Sequence, residues 1–279
     1  MPPSTAPNSH TPPTMLNNAT VAHLRALKFH GFADALQQQM TQPDILGLAF
    51  EERLALLVDR ELHLRSDRKR SRLLQRAQLK YPMATLEDAT FDGVSGIDRP
   101  TLMSLALSSW VERGETITLG GATGLGKTWL ACALGQYACR QGHSVLYLRV
   151  PRLGEELRIL HGSGGLRKWL LQLAKTDDVL VLDDWGTGSI DASTRADLLE
   201  IVDDRASLRP TIITHQLPIA HWHGWIGCVT TADAMLDRLL QRCRRFDLEG
   251  ESRRKHEAQA HGRAALRPKT TPTQEDAMN

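Results

Sequence analysis

Aromatic residues make up only 5% of this 279-residue chain, cysteine occurs four times, and charge of one sign is not in excess. No apolar run approaches the roughly 18 residues that cross a bilayer, so a membrane span is not expected. With so few aromatics, Leu, Ala, Val and Ile must supply most of the core. Cys132, Cys139, Cys228 and Cys243 show no CxxC spacing. Cys132 and Cys139 fall two turns apart on one helical face and read as buried thiols rather than a metal site. The first residues, MPPSTAPNSHTPPT, hold no apolar h-region and no cleavage signature, so the cytoplasm is the expected compartment. Lys and Arg total 34 against 32 Asp and Glu, a formal charge of +2 that by itself points to no nucleic-acid partner. What is present is ordinary globular usage, 41% hydrophobic and 24% charged, which excludes wholesale disorder.

Val21, Leu24, Leu27, Phe32, Ala35 and Leu36 recur at helical spacing and predict a helix over residues 20–40. TQPDILGL, with Pro43 and Gly47, reads as a turn, and a second amphipathic segment from near Phe50 carries Leu54, Leu57, Val58 and Leu62. After about residue 95 the pattern changes. TITL (116–119), SVLYLRV (144–150), VLVLD (179–183) and PTIIT (210–214) are short apolar runs separated by helical stretches such as TRADLLEIVDDRA (194–206). That alternation predicts an α/β fold with a parallel sheet covered on both faces. FDLEG (246–250) is expected as an added edge strand. The expected organisation is a disordered tail over 1–14, a small all-α N-terminal domain over 15–80, a linker over 81–96, an α/β domain over 97–263 and a second disordered tail over 264–279.

The strongest local signal is Gly121-Ala122-Thr123-Gly124-Leu125-Gly126-Lys127-Thr128, a GxxxxGK motif closed by Thr. Glycines let backbone N–H groups converge on phosphate oxygens, and the following helix adds the positive end of its dipole. Lys127 is suited to the β- and γ-phosphates of ATP and the Thr128 hydroxyl to Mg²⁺. A carboxylate at the end of a neighbouring strand is the expected second half, and VLVLDD supplies Asp183 and Asp184. Asp183 is expected to hold Mg²⁺ and Asp184 to orient or deprotonate the attacking water.

With these motifs in place, the chain resembles the AAA+ ATPases of the initiator and helicase-loader group and, more narrowly, the IstB-like transposition helper ATPases. The resemblance is carried by AHLRALKFHGFADALQQQ, LAFEERLALLVDRELHLRSDRK, YPMATLEDATFD, WVERGETITLGGATGLGKTWLACALG, VLVLDDWG, TIITHQLPIAHWHGWIG and ADAMLDRLLQRCRRFDLEGESRRK, from about residue 20 to 256. It implies an AAA+ P-loop core, ATP held between subunits of a homo-oligomer, duplex DNA as a partner and a partner transposase. It further implies that Gln216, with Thr214 as runner-up, senses the γ-phosphate. Arg238 would be a finger supplied to the neighbouring subunit, and Arg254 a second sensor on the nucleotide. His215, where such proteins commonly carry Ser, and the bulky Trp129 and Trp185 depart from the pattern. His221 and His223 flank Trp222 and read as packing or surface residues, so no metal beyond Mg²⁺ is expected.

Residues 65–80 hold seven basic residues against Asp67 alone, a local +6. Arg65, Arg68, Arg72 and Arg76 share a helical stripe, with Lys69 beside them, suited to sequence-tolerant phosphate contact. Residues 238–245 add four arginines and no acid, which leaves the remainder of the chain at −8. The implied activity is an ATPase that assembles on duplex DNA and presents it to the transposase. Its rivals are a replicative helicase loader, a small-molecule P-loop kinase, and an ATP-switched DNA-binding module with negligible hydrolysis.

Overall fold

The computed structural model describes residues 13–90, 94–107, 109–176, 178–250 and 252. The chain divides into two compact units, Met1–Arg72 and Leu73–Asn279. Most of the first expected tail and all of the second lie outside the described residues.

The first unit is helical: α1 (Pro13–Ala26), α2 (His30–Thr41), the single turn α3 (Pro43–Leu46) and α4 (Phe50–Ala77), whose last turn belongs to the second unit. The one helix expected over 20–40 is two. Lys28 takes φ 65°, a left-handed conformation that ends a helix. The expected apolar face of α4 is also displaced. Leu54, Val58 and Leu62 are 39%, 43% and 60% exposed, whereas Leu57 and Glu61 are buried and Arg53 and Leu64 half-buried. Polar bonds explain the rotation. Gln39 Nε2 donates to the Arg53 carbonyl at 3.0 Å, and Glu61 accepts from the Phe32 amide at 3.1 Å and from Arg65 Nε at 2.6 Å. Burial raises the Glu61 pKa, but the bonds from Arg65 and the Phe32 and Gly31 amides outweigh it and hold the carboxyl below its ordinary range. Helices α2 and α4 meet at Gly31, where a Cβ would stand 2.8 Å from the Arg60 carbonyl oxygen and 3.0 Å from Glu61 Cα. Gly31→Ala is therefore expected to cost about 1–3 kcal/mol by overpacking. Hydrogen exchange checks it: the α2 amides should lose protection while those of the sheet keep theirs.

The second unit contains β1 (Val94–Ser95), α5 (Arg99–Leu107), β2 (Thr116–Gly121), α6 (Lys127–Arg140), β3 (Val145–Arg149), α7 (Val150–Gly162), α8 (Leu166–Thr176), β4 (Val179–Trp185) and α9 (Ala192–Arg205). There follow β5 (Thr211–His215), a 3₁₀ turn, α10 (Trp222–Ile226), α11 (Val229–Leu240) and β6 (Cys243–Gly250). The strand order is β1-β6-β2-β5-β4-β3, all parallel except the β1–β6 pair. Side chains two apart along a strand share a face, so each continuous apolar run feeds two cores at once. Val179, Val181 and Ile212 join α5 and α6 on one face; Leu180, Leu182 and Ile213 join α7 to α11 on the other.

One expectation fails here. FDLEG is a strand but not an edge strand: it belongs to β6, which lies between β2 and β1 and pairs with β2 from Thr116↔Cys243 to Gly121↔Leu248. Within the expected linker over 81–96, Ala84, Leu86 and Ala89 are buried in the core shared with α6. Cys132 and Cys139 are buried free thiols, as their spacing suggests, and desolvation pushes them up to about 11 and about 12. No helix among the described residues is long and apolar enough to cross a membrane.

Candidate nucleotide site

β2 delivers the chain into the glycine loop at the carboxyl edge of the sheet. Gly121 (φ 128°), Gly124 (φ 90°) and Gly126 (φ 90°) occupy backbone conformations that side chains rarely adopt. A Cβ on Gly121 would also collide with the Leu248 carbonyl oxygen, and one on Gly124 with the Ser252 hydroxyl. Leu125, buried, anchors the loop from below. Lys127 opens α6 and is 7% exposed, with Nζ donating to the Gly121 and Ala122 carbonyls at 2.7 Å each. The ammonium is thus folded against the loop whose phosphate ligand it would serve.

Asp183 is fully buried near the end of β4 and is held by three hydroxyls. Thr128 Oγ1 and Thr214 Oγ1 donate to its Oδ1 at 2.8 and 2.6 Å, and the Tyr147 hydroxyl donates to Oδ2 at 2.6 Å. Burial, and then the bond to Asp183, push the Tyr147 phenol far above its ordinary range, so it stays a proton donor. Asp184 takes φ 62°; its amide donates to Thr214 Oγ1 at 3.0 Å and its carboxylate pairs with Arg149 at 2.8 Å. A cavity of about 560 Å³ opens between these groups, lined among others by Lys127, Thr128, Trp129, Arg149, Asp184 and Gln216. That volume suits a nucleotide-sized ligand.

The structure separates the two sensor candidates. Gln216 lines the cavity and accepts a 2.6 Å bond from the Thr123 hydroxyl, whereas Thr214 is buried and ties Asp183 to the Asp184 backbone. Arg238 does not line this cavity; on α11 it pairs with Asp203 and donates to the Ala234 carbonyl at 2.9 Å. Arg254 lies outside the described residues, although Ser252 already reaches Gly124 of the loop. Within the cationic run 238–245, Arg242 and Arg245 are exposed and the other two arginines are paired. Arg238 is paired as described, and Arg244 bonds Glu115 at 2.6 Å. On α4, Arg68, Lys69, Arg72 and Arg76 are exposed, while Arg65 is bonded to Glu61 with its guanidinium 4.9 Å from the Phe29 ring centre.

His215 is buried, its Nδ1 facing the Leu217 carbonyl at 2.9 Å and its ring edge-on to Trp222. Burial lowers its pKa, against the opposing pull of the Leu217 carbonyl and Asp247, so it packs as a neutral ring. Sequence reasoning missed Tyr147 and Arg149. Their only signal was polarity inside the apolar run SVLYLRV.

A phosphate loop on an inner parallel strand, a buried aspartate two strands away and a polar strand end between them define a P-loop nucleotide-binding domain. More narrowly, the pattern of the IstB-like ATP binding proteins matches residues 22–260, and the chain belongs to that family. It is 49% identical over 204 residues to an insertion sequence ATP-binding protein of Pseudomonas fluorescens, covering 73% of this chain and 88% of that one. An insertion sequence ATP-binding protein of Sinorhizobium fredii is 40% identical over 243 residues, covering 87% and 98%. Among solved structures, DnaI superposes with a TM-score of 0.52 at 21% identity, covering 64% of this chain and 94% of that one. The replication initiator DnaA bound to AMPPCP and single-stranded DNA gives 0.52 at 18% identity, covering 69% and 58%. At these identities the likeness is one of fold.

Proposed function

We propose that this chain is an ATP-hydrolysing assembly factor that oligomerises on duplex DNA and presents that DNA to a partner transposase of its insertion sequence. The observation that carries the reading is the convergence of Lys127, Thr128 and Asp184 on one cavity, with Asp183 buried behind Thr128 and bonded to its hydroxyl. Hydroxyl and carboxylate oxygens suit Mg²⁺, and the Thr128 and Asp183 oxygens already lie 2.8 Å apart at the loop. These two residues would hold the ion, which when bound offsets charge on the β- and γ-phosphates. Lys127 would swing from the Gly121 and Ala122 carbonyls to the phosphates. Gln216 would exchange the Thr123 hydroxyl for the γ-phosphate, and Arg254 would contact the nucleotide from the segment beyond Ser252.

Arg238 would leave Asp203 to reach the ATP of a neighbouring subunit, where it stabilises transition-state charge. The exposed arginines of α4 would track the DNA backbone. A helicase-loader role shares this core, but relatives named for insertion sequences favour the transposition reading. An ATP-switched DNA-binding module with negligible hydrolysis is favoured by one observation, the engagement of Asp184 by Arg149.

Phosphate release and light scattering, with and without duplex DNA, test the proposal. DNA and ATP together should enlarge the assembly and raise turnover. Arg238→Ala should lower DNA-stimulated turnover by roughly a thousandfold or more, the scale of a lost arginine finger. If Arg238→Ala turns over normally on DNA, the finger assignment is wrong; if DNA changes neither size nor turnover, the assembly reading is.

A further inference from the structure

β5 is buried along its whole length and ends at His215, opposite Trp185 of β4. On its other side runs β2, where Gly120 offers no side chain; a Cβ there would stand 2.7 Å from His215 Cε1. The imidazole fills the space that this glycine leaves, one residue short of the phosphate loop. Its Nε2 is buried with no hydrogen-bond partner among the described residues, so Nδ1 makes the ring's polar contact.

Nδ1 lies 2.9 Å from the Leu217 carbonyl oxygen, which can only accept, so Nδ1 carries the ring proton. Trp222 Nε1 donates to the same oxygen, also at 2.9 Å. Two side-chain donors therefore converge on one carbonyl in the turn that follows β5, and occupy both its lone pairs. The Leu217 side chain is confined as well, since a Cβ on Gly186 would stand 2.9 Å from Leu217 Cβ.

Gln216 lies between the strand end and that fixed carbonyl. Its side chain is long and flexible, so its aim depends on where the backbone leaves β5. It lines the nucleotide cavity and accepts from the Thr123 hydroxyl of the phosphate loop, whereas His215 and Trp222 do not line that cavity.

We propose that His215 is a positioning residue whose Nδ1–H, together with the Trp222 indole, fixes the Leu217 carbonyl and so aims Gln216 at the γ-phosphate of ATP. This rests on Gln216 contacting the γ-phosphate. Loss of the Nδ1 donor lets the turn shift, and the cost falls on nucleotides that carry a γ-phosphate, not on ADP.

The test uses the full-length protein with duplex DNA and measures phosphate release from MgATP and the affinities for ADP and the non-hydrolysable AMPPCP. Asn places its amide nitrogen where Nδ1 sits, whereas Gln carries its amide farther out, towards Nε2. His215→Gln is therefore expected to lower kcat roughly tenfold and the preference for AMPPCP over ADP roughly fivefold. His215→Asn should stay within about threefold of wild type on both measures. Packing alone gives the opposite order, because Asn leaves the larger void. Trp222→Phe, which removes the second donor from a separate helix, should shift both measures in the same direction as His215→Gln. ADP affinity should stay within about twofold throughout, and in a Gln216→Ala background neither change should lower kcat or the preference further.

His215→Asn as impaired as His215→Gln, or an effect of His215→Gln that persists in full in the Gln216→Ala background, overturns the proposal. Gln216→Ala separates the two failures. If it lowers kcat and the AMPPCP preference while His215→Gln and Trp222→Phe lower neither, only the positioning is wrong. If Gln216→Ala itself changes neither measure, the γ-phosphate contact is wrong and the positioning falls with it. The AMPPCP preference decides in the same way should turnover be negligible.

Discussion

Asp183→Asn is expected to lower ATP turnover by roughly a thousandfold, the scale of several kcal/mol of lost metal-assisted charge stabilisation. The change is close to isosteric, and an amide oxygen still accepts from Thr128 and Thr214, whose hydroxyls now meet at Oδ1. The Tyr147 hydroxyl, which donates to Oδ2, can rotate to accept from the new amide. Folding and nucleotide affinity should therefore change much less than kcat. Asp183→Ala is a poorer probe, since it leaves all three hydroxyls without their shared acceptor, at about 1–3 kcal/mol for each that stays buried. Phosphate release at saturating MgATP, read beside analogue binding, decides the matter. Turnover of Asp183→Asn within tenfold of wild type would remove Asp183 from the Mg²⁺ role.

The largest stability effect is expected far from the nucleotide, at Arg205. This side chain is 2% exposed on α9 and gathers three backbone carbonyls: Leu173 at 3.1 Å, Asp178 at 3.0 Å and Pro210 at 3.0 Å. Those carbonyls come from the end of α8, the approach to β4 and the approach to β5, so one guanidinium ties together the loops at the amino edge of the sheet. Arg205→Met keeps most of the volume but strands the acceptors, at a cost of about 3–5 kcal/mol. For a unit of this size that corresponds to a melting temperature lower by roughly 10 °C. Calorimetry checks it, and a fall of less than about 2 °C would show that water replaces the guanidinium freely.

The strands β2 to β5 and the phosphate loop were legible in the sequence because their signals are local: β-branched apolar runs, glycines at fixed offsets, a lysine and a threonine. β6 was not. Cys243 to Gly250 alternates Arg244, Arg245, Asp247 and Glu249 with apolar residues and forms no hydrophobic run; its place is set by the backbone of β2. The pairing of Arg238 and Arg244 within the run 238–245 was not legible because their partners, Asp203 and Glu115, are distant in sequence. Within the site, Lys127, Thr128 and Asp183 belong to motifs. Tyr147 and Arg149 acquire meaning only when β3 is laid against β4, a long-range pairing that period and composition do not encode. The apolar face of α4 was misplaced for a related reason. Gln39, Glu61 and Arg53 make polar bonds where the pattern assigns solvent.

The placing of β6 beside β2 has a consequence for how the protein is made. Thr118 and Cys243 are neighbours across the sheet yet lie 125 positions apart in the chain. A ribosome therefore releases the phosphate loop long before the strand that flanks it, and the Leu248 carbonyl that crowds Gly121 arrives later still. Pairings this remote close slowly, because the intervening loop must first be ordered. Nascent chains halted before β6 carry the whole phosphate-loop signature without the strand that frames it.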